Sequence, residues 1–338
     1  MLKKSLQVIV LCLVVLHSQA QDQHFSQFFN SPQNLNPALS GVFNGDLRIA
    51  ANHKNQWRTL PVPYRTYSIS ADGKLPLGLK NDYVCAGILF NNDKSGDGSF
   101  ITNQAGISLA YLKKLNKDSS SFLSFGIQPS LISRSINLSK LSFDNQFSDG
   151  AYNSAITNGE NFSRTNFQFL DLSAGISFYQ KINQHSNATL GFSYAHFSSQ
   201  NTSFFSDKST VINPKFVAHA TFVFNLSESF DLIPVVMYEN QNKTKEIVAG
   251  TQARFIFENR SDKTRAFSLG AFMRLKDAFI VNAQLDYNRY RFGLSYDVTT
   301  SALKNANNRL GGIELSIVYI MKRFIKVNQA KVICPVFL

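Results

Sequence analysis

The sequence predicts an all-β protein: a transmembrane, antiparallel, up-and-down β-barrel of about fourteen strands with both termini periplasmic. Three observations carry this expectation. Alternation with a period of two runs from about residue 46 to residue 322, while helical periodicity is nearly absent after the first twenty residues. The alternating runs are mostly nine to thirteen residues long. Soluble strands usually have about 5–6 residues, whereas a tilted strand crossing a bilayer needs about 9–11. The gaps between runs also alternate long and short by parity, as when tight turns lie on one side of a membrane and loops on the other.

Taken in order, residues 1–20, "MLKKSLQVIVLCLVVLHSQA", read as a secretory signal peptide cut before Gln21. Lys3 and Lys4 precede a twelve-residue apolar run, too short for the roughly 20 residues that span a bilayer. Residues 21–45 form an N-terminal periplasmic or lumenal segment. Within it, "HFSQFFNSPQNLNPALSG" (24–41) crowds three Phe among Asn, Gln and Pro. Phe25, Phe28 and Phe29 share a face if the segment turns helically. Asn36-Pro37 and Ser40-Gly41 then break the chain before a strand beginning at Asp46. The expectation is an aromatic wedge seated in the periplasmic mouth.

The barrel is expected over 46–323. Its runs lie near 46–57, 64–72, 82–91, 101–112, 120–132, 167–179, 187–197, 214–226, 229–240, 246–258, 264–274, 277–288, 289–298 and 311–322. In the twelfth, Phe279, Val281, Ala283, Leu285 and Tyr287 form one face, with Asn282, Gln284 and Asp286 on the other. Long gaps at 133–166, 198–213 and 299–310 follow odd runs, and short ones at 113–119, 180–186, 227–228 and 259–263 follow even runs. Two gaps break the parity, 73–81 and 275–276. The stretch "NNDKSGDGS" (91–99) lacks the spacing and closing Glu of a calcium loop and reads as a flexible outer loop. Residues 324–338 form a periplasmic tail.

A membrane sheet must close, because no unpaired backbone group can face hydrocarbon. The inward rows are then polar. Arg48, Asn52 and Lys54 share the lumenal face of the first run. If Asn288-Arg289 is a two-residue turn, Asp286 opposes Arg291 in the lumen as a wall ion pair. The formal charge of +12 points to anionic lipid head groups or acidic partners, since an exported chain rarely meets nucleic acid.

Catalytic motifs are missing. His24, His53, His185, His196 and His219 have no metal-like spacing, and no nucleophile elbow or phosphate loop occurs. His196 continues the outward line of Leu190, Phe192 and Tyr194, while His219 has lumenal parity. A hydrolytic site shared by these two is the weaker reading, and no cofactor is expected. Cys85 and Cys334, the two cysteines past the leader, make no disulfide framework. A bridge between them would pin the tail into the lumen mouth.

The blocks "HFSQFFNSPQNLNPALSG", "LRIAANHKNQWRTL" and "PYRTYSIS", then "RFGLSYDVTTSALKNANNRLGGIELSIVYI" and "VICPVFL" near the end, resemble the PorP/SprF family. The Gln56-Trp57 pair and the Cys334-Pro335 tail belong to this likeness. The resemblance implies an outer-membrane protein associated with the type IX secretion system of Bacteroidetes. Such proteins support secretion and surface attachment of large cargo with a C-terminal sorting domain, often gliding adhesins. It supplies no catalytic residues. Partner contacts are expected at His24, Phe25, Phe28, Phe29, Asn36, Pro37, Gln56 and Trp57, and at Lys322 and Arg323 in the basic tail. The alternative function is a passive outer-membrane channel or transporter.

Overall fold

The computed structural model describes residues 22–56, 64–75, 82–148, 150–205, 207, 209–260, 263–302 and 308–322. The leader, Trp57, Arg323, Cys334 and the tail lie outside these residues. Fourteen strands close into one barrel: β1 Leu47–Gln56, β2 Tyr64–Leu75, β3 Tyr83–Ser95, β4 Phe100–Lys114, β5 Ser121–Ser135, β6 Asn166–Lys181, β7 Ser186–Ala195, β8 Lys215–Ser227, β9 Phe230–Gln241, β10 Thr244–Asn259, β11 Thr264–Arg274, β12 Ala278–Tyr287, β13 Tyr290–Thr299 and β14 Leu310–Met321. Each pairs antiparallel with the next. β14 returns to β1 from Leu47↔Met321 to Gln56↔Gly312, so the sheet has no free edge. Among the described residues no helix is long and apolar enough to cross a membrane.

Alternation in sequence becomes two faces in space. On β13, Tyr290, Phe292, Leu294 and Tyr296 point outward and are exposed, while Gly293, Ser295 and Asp297 are buried inside. The outer row elsewhere includes Ile88, Ile107 and Leu170, the last 70% exposed. Such a surface is stable only against hydrocarbon.

Because the strand number is even, β1 begins and β14 ends at the same end. Tight connections at 182–185, 228–229 and 288–289 gather there, and we call it the turn end. The long connections 136–165, 196–214 and 300–309 gather at the opposite, loop end. The stretch 91–99 departs from expectation. β3 continues to Ser95 and only 96–99 turns, with Gly96 at φ +66° and Ser99 at φ +44°. Cross-strand amide pairs extend this hairpin past the apolar band: Asn92 Nδ2 donates to Asn103 Oδ1 at 2.7 Å, and Asn91 Nδ2 to Gln104 Oε1 at 3.0 Å.

The lumen is filled by residues 22–46. Three short turns, Phe28–Asn30, Pro32–Leu35 and Pro37–Leu39, fold this segment into a plug. Asp22 sits at the loop end beside His196 and Lys215, whereas Gly41 sits at the turn end beside Asp72 and Cys85. The expected wedge at one mouth is therefore corrected: the segment threads the lumen from end to end. Its composition explains why. Polar plug residues meet the polar inward rows, and Phe28, Phe29, Leu35 and Leu39 pack where the wall turns apolar at Ile233, Val235, Met237, Val248 and Phe272. Burying each such Phe or Leu contributes about 1.5–3 kcal/mol.

Candidate functional site

The plug and the wall it touches form the candidate site. At the loop end, Asp22 accepts from His196 Nε2 at 2.6 Å and lies 3.2 Å from Lys215 Nζ. His196 Nδ1 is 3.1 Å from Asp171. Burial opposes charge on Asp22, yet Lys215 and His196 hold its carboxyl well below the usual carboxylate range. Burial likewise opposes a charged His196, but Asp22 and Asp171 hold it protonated, up to about 9. His24 is the opposite case. Burial, with Lys54 and Arg274 nearby, pushes it well below its ordinary value. A neutral His24 makes no ion pair with Glu246, although their atoms approach to 3.8 Å.

Further in, the wall grips the plug backbone. Ser26 N–H and Gln27 N–H donate to the two oxygens of Glu314 at 2.7 and 3.1 Å. Arg274 Nη2 donates to Ser26 Oγ at 2.9 Å, and Ser26 Oγ donates to Asp297 at 2.7 Å. Lys54 Nζ reaches the His24 carbonyl at 3.1 Å. Asn36 caps the turn Pro37–Leu39 through Ala38 N–H, and its amide nitrogen meets the Ile176 carbonyl at 3.0 Å and His219 Nε2 at 3.1 Å. Ser193 Oγ donates to the Leu35 carbonyl at 2.8 Å. At the turn end, Arg48 binds Asp72 at 2.8 Å and the Leu39 carbonyl at 3.0 Å, while Asp72 accepts from Gly41 N–H at 2.7 Å. The pattern is main-chain recognition. Wall donors meet plug carbonyls and wall carboxylates meet plug N–H groups, so the desolvated plug main chain finds partners on the wall.

The wall is also cut back to admit the plug. A Cβ at Gly175 would stand 2.0 Å from Asn36 Oδ1, and one at Gly126 would stand 2.4 Å from Ala38 N. Glycine is required at both because backbone or fixed side chains occupy that space.

The other expected residues fall as follows. Phe25, Phe28 and Phe29 are buried in the lumen, turned to the wall and not to a periplasmic partner. Phe29 packs on Phe272 with ring centroids 5.7 Å apart. Pro37 opens its turn, and Gln56 ends β1 at the loop end. Lys322 follows β14, exposed at the turn end. Asp286 and Arg291 are register partners, with Arg291 Nε donating at 2.6 Å, and Arg254 joins Asp286 at 2.8 Å. Cys85 is fully buried against Gly41. His196 corrects its expected outward course. The strand ends at Ala195 and His196 adopts φ +63°, which breaks the alternation and turns the ring into the lumen. His196 and His219 serve different partners, Asp22 with Asp171 and Asn36. The reading by motif missed Glu314, Asp297, Arg274 and Asp171. Each lies on the inward parity of its strand, which was the available signal.

Toward the loop end, between the first plug residues Asp22–His24 and the wall, lies a cavity of about 630 Å³. Asn34 and Leu35 form part of its floor, and Phe100, Gln128 and Arg134 part of its wall.

Comparison with known proteins completes the description. Among proteins of curated function none matches the sequence. Solved structures of similar shape include the CymD monoaromatic hydrocarbon channel, 7% identical, with a TM-score of 0.48 over 88% of this chain and 94% of that one. The translocator domain of autotransporter NalP from Neisseria meningitidis is 12% identical, with a TM-score of 0.32 over 87% of this chain and 95% of that one. The family described as type IX secretion system membrane protein PorP/SprF matches residues 17–319, nearly the whole barrel and its plug. The chain belongs to the PorP/SprF family of outer-membrane β-barrels of type IX secretion.

Proposed function

We propose that this barrel is a plugged docking platform and acts by binding, without catalysis. Its turn end faces the periplasm and meets secretion machinery through the exposed Lys322 and through Arg323, which follows it in sequence outside the described residues. Its long loops face outward and hold exported cargo carrying a C-terminal sorting domain. The observation that carries this reading is the lumen. Residues 22–46 thread it from end to end, bonded to strands around the circumference, with a cavity left toward the loop end. A passive channel needs a continuous aqueous path, and a packed plug removes it. The residues 24–41 then act indirectly, by closing the barrel and bracing its wall. The experiment is to replace loop residues 136–165 with a short turn and to confirm insertion from the heat-modifiable mobility of the folded barrel. Loss of cargo from the cell surface is the expected result. Unchanged cargo display in a correctly inserted barrel would refute the proposal.

A further inference from the structure

At the turn end, the outer surface of β10–β14 is layered. The rim is basic. Arg260 and Lys263 face each other across the β10–β11 turn, where Arg260 N–H donates to the Lys263 carbonyl at 2.7 Å. Arg289 is exposed at the tip of the β12–β13 hairpin. Two hydrogen bonds hold that tip between its neighbours: Asn288 N–H donates to the Thr264 carbonyl at 2.7 Å, and Ile320 N–H donates to the Arg289 carbonyl at 2.9 Å. Glu258 lies 3.4 Å from Arg260 and 3.5 Å from Arg265, so one carboxylate serves two guanidinium groups, and Lys263 makes no ion pair among the described residues. In the sequence, residues 258–265 together with Arg289 carry Arg260, Lys263, Arg265 and Arg289 against Glu258 and Asp262, a net charge of +2. The next row is formed by the register partners Arg265, Tyr287, Tyr290 and Tyr319. The Arg265 guanidinium carbon lies 5.5 Å from the centre of the Tyr287 ring, and the rings of Tyr290 and Tyr319 are 4.9 Å apart. Two residues further along each strand, the register partners Phe267, Leu285, Phe292 and Ile317 are wholly apolar.

We propose that this sector of the outer surface binds a phospholipid whose headgroup carries a net negative charge. The layers follow the order of groups in such a molecule. Its phosphate meets Arg260, Lys263, Arg265 and Arg289, and a guanidinium matches phosphate oxygens with two parallel hydrogen bonds. The tyrosine rings lie at the depth of the glycerol and ester groups, where an amphipathic ring has one end dry and the other wet. The acyl chains run along Leu285, Phe292 and Ile317, which are all exposed. An acidic protein would use the cations alone; the unbroken step from cation to tyrosine to aliphatic side chain selects an amphiphile. A zwitterionic headgroup brings its own ammonium to a rim already short of carboxylates, so the net negative headgroup is preferred. Each basic residue near a membrane surface strengthens that attraction by about fivefold. Placing the lipid in the periplasmic leaflet rests on the reading that the turn end faces the periplasm; the headgroup preference does not.

The test uses the full chain in neutral-detergent micelles, with dioleoyl phosphatidylglycerol and dioleoyl phosphatidylethanolamine competing at equal concentration. Native mass spectrometry reads which lipid stays bound. Retention of phosphatidylglycerol at least about tenfold above phosphatidylethanolamine is expected. The triple variant Arg260→Gln, Lys263→Gln, Arg265→Gln should lower that ratio by at least about fivefold. A control with the same charge loss at another turn of the same end, Lys113→Gln, Lys114→Gln, Lys117→Gln, should keep it. Equal retention of the two lipids overturns the proposal. An equal fall in both variants overturns the assignment to this sector, since charge would then act over the whole rim. Displacement of the bound lipid by millimolar sn-glycerol 3-phosphate overturns the assignment to lipid in favour of free phosphate. The comparison of headgroups needs no variant, so it stands even if the triple variant fails to fold. Equal retention alongside loop-dependent cargo display would reject this site while leaving the docking reading intact.

Discussion

Single residues decide how the plug is held. Asp72 and Arg48 are nearly inaccessible, and Asp72 also accepts from Gly41 N–H. Asp72→Asn leaves the Arg48 guanidinium buried without its counter-charge, a change that costs about 3–5 kcal/mol in buried pairs. Denaturant unfolding in micelles should show a loss of that order, whereas Asp118→Asn, on an exposed turn, should be close to neutral. Gly175 permits no side chain. Gly175→Val should displace Asn36 and free the plug, seen as protease cleavage within 22–46 while the barrel stays heat-modifiable. His196 gives a pH dependence. Its protonation in the folded state persists to about 9, above its ordinary value of 6.5, because Asp22 and Asp171 outweigh burial. The stabilisation is therefore complete below about 6.5 and is lost as pH rises through about 9. Hydrogen-exchange protection factors at residues 22–25, corrected for the intrinsic pH dependence of amide exchange, should fall over that window, and in His196→Gln they should stay level there.

At the scale of elements, the plug and the wall divide the work. The wall is self-sufficient in backbone hydrogen bonds, since β14 closes on β1. The plug has only three short turns of its own and takes its conformation from the wall. Deleting residues 22–45 should thus leave a folded barrel and open it. Planar bilayers should record small or intermittent currents for the intact chain and large steady ones for the deletion. Equal large currents from both would mean that the lumen conducts around the plug, contrary to the packing. The His196 turn shows where strand logic stops: one left-handed residue after Ala195 reverses the side expected from alternation. The extension of β3 to Ser95 shows the reverse case, in which polar side chains sustain a strand by pairing across the hairpin.

At the scale of the whole molecule, the outer surface must match lipid. Ile107 lies midway along β4, is 57% exposed and sits beside Ile88 across the β3–β4 ladder. Ile107→Arg should cost about 2–4 kcal/mol at the bilayer midplane, measured by reversible folding into vesicles. Ser108, the next residue, faces the lumen and bonds to Ser40 and Gln33. Its replacement should instead loosen the plug. Neighbouring residues thus answer to different solvents.

The sequence by itself determined the strand count, the approximate bounds of the strands, the side on which long connections gather and the lumenal parity of Arg48, Lys54, Asp286 and Arg291. These follow from a period of two and from segment length, both local properties that a single chain displays. Only the tertiary structure decided that residues 22–46 run the length of the lumen and that Asp22 meets His196 across 174 positions. The physical reason is closure. Once fourteen strands form a cylinder, inward side chains from distant strands share one enclosed space, and their pairing depends on the circumference and stagger of the cylinder. No pattern along the chain carries that information. Glycines such as Gly126 and Gly175 acquire their meaning only once the plug is seen pressed against them.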